Sequence, residues 1–211
     1  MSLPFFKHQN NGVYDNMEPF YSEESEYTAY SEPVIMPEHD HMLVHIVACL
    51  ADGNVIGHGG GLPWSAPLDM KRFRAMTTSK AVIMGRGTYD SIGGPLAGRY
   101  NIIITTNYME EQPMRVKRVR SFVAAMKHAE EMSFPEVFVI GGQSVYEQAL
   151  PYADFIRLTE LHIECAGDRF FPELDCTEWT EIQRAHQTGN VHQYDFVDYI
   201  RTSRTFLTPF V

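Results

Sequence analysis

The chain has 211 residues, 44 % hydrophobic and 12 % aromatic, enough for one domain with a sizeable core plus extensions. Its formal charge of −10 is uneven: residues 1–41 hold eight acids against Lys7, a net of −7, which leaves −3 for the rest. A body so nearly balanced gives no support to nucleic-acid binding by charge, and no apolar run is long enough for a membrane-spanning helix.

Residues 1–41 show neither helical nor alternating periodicity and mix Ser, Glu, Pro and Asn with scattered Phe and Tyr. They read as an acidic, disordered N-terminal extension without the charged and apolar blocks of a secretory signal. A short acidic-aromatic partner motif is the functional alternative, its partner unknown. His39-Asp40-His41 is too little for a metal site, and Cys49, Cys165 and Cys176 lack metal-ligand spacing. No metal is expected, and the three thiols are read as reduced in a cytoplasmic protein.

From Leu43 the texture changes. Leu43–Leu50, Ala81–Met84, Asn101–Thr106, Val137–Ile140 and Phe155–Leu161 are short apolar, often β-branched runs that predict buried strands. Between them, helices are predicted over Pro67–Met76, Arg86–Ile92, Ser121–Met132 and Gln143–Leu150, with Ser121 as an N-cap and Pro151 as a terminator. Strand and helix alternation predicts an α/β domain over 42–202 with a mainly parallel, eight-stranded sheet and four flanking helices. Trp179–His186 and Val191–Arg201, joined through Thr188-Gly189-Asn190, predict an antiparallel hairpin at one edge, and 203–211 a C-terminal tail.

Three stretches carry chemistry. At 56–73 a glycine-rich loop, Gly59-Gly60-Gly61, runs into Leu62-Pro63-Trp64, and Pro67 then opens a helix. Asp69 and Phe73 lie four apart on it and share a face, so an acid and an aromatic ring are presented together beneath a tryptophan-bearing loop. That suits a flat, partly cationic heterocycle, although an acid in a helix's first turn is also plain dipole chemistry. Two strand-to-helix junctions, Met84-Gly85-Arg86-Gly87-Thr88 and Ile140-Gly141-Gly142-Gln143-Ser144, let backbone approach a phosphate. The two together predict a dinucleotide laid across the strand ends, and Thr105-Thr106 after a third strand adds hydroxyls suited to another phosphate, though equally to a turn. Arg99, held in a Pro95–Gly98 frame, is a planar fork matched to a carboxylate, or else a solvated cation.

The ensemble resembles dihydrofolate reductases of the bacterial, chromosomal type. The shared pieces, in the same order, are I-G…L-P-W at 56–64, the acid and aromatic at 69 and 73, and V-I-M-G-R-x-T at 82–88. S-I-G-x-P-L-x-G-R-x-N at 91–101, V-I-G-G…V-Y-E at 139–147, L-T at 158–159 and G-D-x-x-F-P at 167–172 complete the set. The resemblance implies NADPH-dependent reduction of 7,8-dihydrofolate by a monomeric enzyme. It assigns Asp69 to the pterin, Thr159 to that carboxylate, Trp64 to an ordered water and Leu62 to closure over the nicotinamide. Val47, Phe73, Ile92 and Leu96 would line the substrate channel, with Arg99 taking its glutamate carboxylate. Cys49, Ile56 and Gly57 would meet the nicotinamide. Gly85, Arg86, Thr88, Thr105, Thr106, Ile140, Gly141, Gly142, Gln143, Ser144 and Tyr146 would surround the rest of the cofactor, with a cis peptide between the paired glycines. The triple glycine departs from many members and implies a higher entropic cost of loop closure. Gly87 and Ser144 stand where members often carry charge, which bears on NADPH over NADH preference. Another pterin- or pyrimidine-directed reductase on the same fold, or a non-catalytic relative using the N-terminal arm, are the alternatives.

Overall fold

A computed structural model describes residues 41–107, 113–188 and 192–202. The expectations for the N-terminal extension up to residue 40, for Gly189-Asn190 at the hairpin turn and for the tail from 203 lie outside the described residues.

Ten strands and four helices follow in the order β1 (Leu43–Leu50), β2 (Val55–Gly57), α1 (Pro67–Thr77), β3 (Ala81–Gly85), α2 (Arg86–Ser91), β4 (Tyr100–Ile104), β5 (Val116–Val119), α3 (Phe122–Glu131), β6 (Glu136–Val139), α4 (Gln143–Ala149), β7 (Phe155–Leu161), β8 (Arg169–Phe170), β9 (Trp179–Thr188) and β10 (Gln193–Arg201). Eight strands form one sheet in the order β5-β4-β3-β6-β1-β7-β10-β9, while β2 and β8 pair separately. Five of the sheet's seven pairings are parallel; only β7–β10 and β10–β9 are antiparallel. The expected class and the expected helices are found.

The runs are continuously apolar because both faces are covered. Along β1, Ile46 and Ala48 join one core with α3 and α4, whereas Val47 between them joins the opposite core with Val82, Met84 and Phe138. Ser121 caps α3 as expected, its Oγ accepting the Ala124 N–H at 3.1 Å. The short pair β2 and β8 was not expected, and within the large sheet β5 is the strand that no apolar run announces: it is an edge, and its middle residues are Lys117 and Arg118. Edge strands tolerate and often carry such charges.

A charged pair sits at the start of β6. Lys80 Nζ lies 2.6 Å from Glu136 Oε1, and His45 Nε2 lies 3.2 Å from Oε2, close enough to pair though not aligned as a hydrogen bond. The His45 imidazole chiefly, with Lys80 and against the opposing effect of burial, pulls the Glu136 carboxyl down from 4.5 to about 2. A depressed folded-state pKa means the unfolded chain binds the proton more readily, so stability from this group is full above pH 4.5 and lost as pH falls toward 2. Glu136→Gln is therefore expected to be less stable than the parent above pH 4.5 and to match it near pH 2. Denaturant midpoints measured across that window check it; a constant gap at all pH values would refute it.

Candidate active site

The parallel strands all run the same way, so their C-terminal ends share one edge of the sheet. Across β4, β3, β6, β1 and β7 that edge presents Thr105, Gly85, Gly141, Cys49 and Thr159 in spatial order. Three inter-strand steps from Thr105 to Cys49 span roughly 14 Å, the scale of a dinucleotide. The two glycine junctions adjoin there: the Gly85 N–H donates to the Gly141 carbonyl at 2.7 Å. Gly141 and Gly142 are joined by a cis peptide, and Gly141 has φ +103°. A Cβ at Gly141 would sit 2.9 Å from the Tyr146 ring, so no other residue fits there.

At the β1–β7 end, α1 crosses above. Pro67 starts it, Asp69 lies in its first turn, and beside Leu68, Phe73 and Met76, which pack on the cores, it buries two polar residues, Arg72 and Thr77. Thr159 on β7 donates its hydroxyl to Asp69 Oδ1 at 2.6 Å. Burial chiefly raises the Asp69 carboxyl above its ordinary value, while the Thr159 hydrogen bond and the Arg72 charge pull the other way. Beside it the Cys49 thiol is pushed well up by burial and by the Asp69 charge, against the opposing influence of the nearby Trp64 indole. Trp64 Nε1 is buried with no well-formed hydrogen bond among the described residues, a donor held over the cleft for a water or a ligand.

The far end of the cleft is set by Arg99. Its Nε donates to Thr77 Oγ1 at 3.0 Å and its Nη1 to the Ala97 carbonyl at 2.8 Å, which fixes the guanidinium plane. Burial chiefly, and the Arg74 charge, lower its pKa, and no carboxylate among the described residues forms an ion pair with it. The Arg99 guanidinium carbon lies 5.7 Å from the centre of the Phe73 ring, which separates the two poles of the cleft. Leu96 packs half-buried in the same core as Phe73 and buried Val47, and Ile92 is 42 % exposed at the rim.

On the other side of the glycine junctions Arg86 is exposed, its contact with Asp90 stretched to 3.4 Å, so its guanidinium is available to an anion. The Thr105 hydroxyl accepts the Asn107 N–H at 3.1 Å and keeps its own proton to donate, and Thr106 is exposed beside it. Thr88 starts α2 next to the junction, and Ser144 is exposed on α4. This donor set, two hydroxyl pairs and a cation around backbone N–H groups, fits a phosphate-bearing dinucleotide. Two named residues are engaged internally instead. The Tyr146 hydroxyl donates to the Val47 carbonyl at 2.8 Å, and the Gln143 side chain accepts the Phe170 N–H at 3.0 Å, which ties α4 to β8. Ile140 caps the end of β6 with its N–H on the Ile83 carbonyl.

The glycine-rich loop is more ordered than its composition implies. His58 and Gly61 exchange both backbone hydrogen bonds, at 3.0 and 3.1 Å. Gly59 and Gly60 between them have φ +58° and +87°, the signature of a tight two-residue hairpin turn. Asp168, part of the G-D-x-x-F-P stretch but given no role there, ties the turn down: its N–H donates to the Gly57 carbonyl at 3.0 Å and its carboxylate accepts the Gly59 N–H at 3.2 Å. Leu62 follows, 56 % exposed at the loop's crest. A second overlooked residue is Tyr194, whose buried hydroxyl has no partner among the described residues. Burial first, then the Asp69 and Cys49 charges, push it up to about 12. Period-two alternation along β10, with Tyr194 and Phe196 on one face, was the signal that would have found it.

A family model described as dihydrofolate reductase matches residues 42–201. The chain is 42 % identical over 163 residues to the dihydrofolate reductase HdrB of Haloferax volcanii, covering 74 % of this chain and 82 % of that one. It is 37 % identical over 155 residues to the dihydrofolate reductase of Haemophilus influenzae, covering 73 % and 94 %. Among solved structures, the Enterococcus faecalis dihydrofolate reductase complexed with NADP(H) and RAB-propyl superposes with a TM-score of 0.70 at 27 % identity, over 76 % of this chain and 97 % of that one.

Proposed function

The chain belongs to the dihydrofolate reductase family and reduces 7,8-dihydrofolate to 5,6,7,8-tetrahydrofolate with NADPH, and we propose that Asp69 is the residue on which the reaction turns. The observation that carries this assignment is the Thr159–Asp69 hydrogen bond, at 2.6 Å, which fixes the one carboxylate of the pterin end. NADPH supplies the hydride to C6, and N5 of the pterin gains a proton. Asp69, held by Thr159, anchors and polarises the pterin from the side of its exocyclic amine. Trp64 Nε1, a buried donor with no well-formed hydrogen bond among the described residues, orders the water that relays the proton. Leu62 and the Asp168-pinned turn cover the nicotinamide end and exclude bulk solvent. Arg86, Thr88, Thr105 and Thr106 hold the cofactor's phosphates, with Gly141 and Gly142 giving backbone access. Val47, Phe73, Ile92 and Leu96 line the path from Asp69 to Arg99, which takes the substrate's glutamate carboxylate.

The three free thiols support a cytoplasmic setting. No helix among the described residues is long and apolar enough to cross a membrane. We assign catalysis to 42–202, with 1–41 and 203–211 as extensions outside it.

The direct test is dihydrofolate-dependent loss of reduced nicotinamide absorbance with the full chain. Arg99→Gln refines it. Losing charged hydrogen bonds worth ~1.5–3 kcal/mol is expected to raise KM for dihydrofolate about 10- to 100-fold. A dihydropterin lacking the glutamate tail should be reduced equally by both proteins. Equal KM values for dihydrofolate would remove Arg99 from the site, and reduction of a pyrimidine substrate but not of dihydrofolate would favour the alternative of another reductase on the same fold.

A further inference from the structure

The opposite face of β10 carries a second cluster. Asp195 lies between Tyr194 and Phe196, so its side chain leaves the sheet on the side away from the cleft. It pairs in register with His186 on β9 and Glu160 on β7, and His162 follows β7 two residues beyond Glu160 on the same face. His186 Nδ1 lies 2.9 Å from Asp195 Oδ1 and His162 Nε2 lies 3.6 Å from Asp195 Oδ2. One donor atom from each residue falls within 4.8 Å of the other two.

We propose that His162, His186 and Asp195 form a binding site for a divalent transition-metal ion of the zinc, nickel or cobalt class. Two imidazoles and one carboxylate select such ions over magnesium or calcium, which prefer all-oxygen sets. Bonds of 2.0–2.1 Å in a tetrahedral site place neighbouring ligand atoms about 3.3–3.4 Å apart. The two His–Asp separations, 2.9 Å to Oδ1 and 3.6 Å to Oδ2 of Asp195, lie on the same scale, one imidazole approaching each carboxylate oxygen. Closing the third side takes only rotation of two imidazoles, which are 48 % and 57 % exposed on a backbone fixed by the sheet.

Ion pairing alone does not account for the arrangement. Arg184 Nη1 already donates to Asp195 at 3.0 Å, so two further imidazoles on the same carboxylate are redundant as counter-charges. Arg184 also has other anchors, two hydrogen bonds to Glu181 at 3.0 and 2.8 Å and one to Glu160 at 2.7 Å. It can release Asp195 to a metal and stay paired. A bound ion would join β7, β10 and β9 through side chains and clamp the edge hairpin behind the strand that carries Tyr194 into the cleft.

The test uses the full chain after chelator treatment, titrated calorimetrically with zinc chloride or nickel chloride alone. The comparison is a His162→Gln/His186→Gln double variant, both positions being exposed and outside the catalytic machinery. The parent is expected to take up one more equivalent than the double variant, at least about tenfold more tightly than any site the variant retains, and its Tm should rise with metal while the variant's does not. Cobalt should give a spectrum without thiolate charge transfer. Identical isotherms, or a thiolate band that survives in the double variant, would overturn the site. Dihydrofolate reduction by the metal-free parent and variant should be equal, which keeps this result separate from the assignment of Asp69.

Discussion

Asp69→Asn is expected to fold, to bind NADPH, and to lose about 10²- to 10⁴-fold in kcat/KM at neutral pH, because the carboxylate that anchors and polarises the pterin is gone. It is also expected to be more stable than the parent. Burial raises the Asp69 carboxyl above its ordinary pKa, which means the folded state disfavours the charge relative to water. A raised folded-state value makes this group's contribution most favourable below the unfolded pKa of 3.8 and progressively worse as pH rises through the folded one. Asn is the uncharged isostere and still accepts the Thr159 hydroxyl. The stability gain should therefore be present at neutral pH and vanish on acidification below the carboxylate range. Paired measurements of kcat/KM and of denaturant midpoints against pH decide it. Lower stability of the variant at neutral pH would mean that Thr159 and Arg72 outweigh burial, and near-parental turnover would remove Asp69 from the mechanism.

How far the sequence was legible depends on whether a signal was local. The buried strands announce themselves because a run such as Val82-Ile83-Met84 is apolar on both faces, and the Ser121 cap acts within four residues. Asp69, Phe73 and the glycine junctions could be placed because each is a short spacing at the start of an element. What was missed depends on pairing at a distance. β5 is a strand only because β4 offers it an edge, and Asp168 acts on a turn 109 residues away in sequence. The triple glycine read as a source of loop entropy; two of its members are in fact demanded by the positive φ of the His58–Gly61 turn. Tyr146 and Gln143 stand in the cofactor's neighbourhood, yet their polar atoms are spent on Val47 and Phe170, which composition and spacing do not reveal. The His162–His186–Asp195 cluster is assembled from β9, β10 and the residue that follows β7, and no spacing in the chain betrays it.

The same long-range assembly governs the largest expected loss of stability, that of Asp198→Ala. Asp198 on β10 is 2 % exposed and receives two arginines: Arg157, its register partner on β7, at 2.6 Å, and Arg72 from α1. Arg72 also donates to the Leu158 carbonyl at 2.8 Å and stacks over Phe196 at 4.6 Å. Removing the shared carboxylate leaves Arg72, itself 5 % exposed, as an uncompensated buried cation. The expected cost is about 3–5 kcal/mol, a large part of the ~5–15 kcal/mol that holds a domain of this kind together. Replacing Arg72→Met with Asp198→Leu removes the fully buried cation, leaves only the more exposed Arg157 without its partner, and is expected to recover most of that loss, since well-packed apolar groups often substitute for a buried ion pair without penalty. Urea unfolding of the single and double variants measures both. Equal destabilisation by the two would show that packing, not charge, is what Asp198 provides. The double variant also reports on the site: the Arg72 charge lowers the Asp69 carboxyl, so its removal should move the acid limb of the kcat/KM profile to higher pH. A restored stability with an unmoved acid limb would separate the clamp that holds α1 on the sheet from the tuning of the carboxylate that α1 carries.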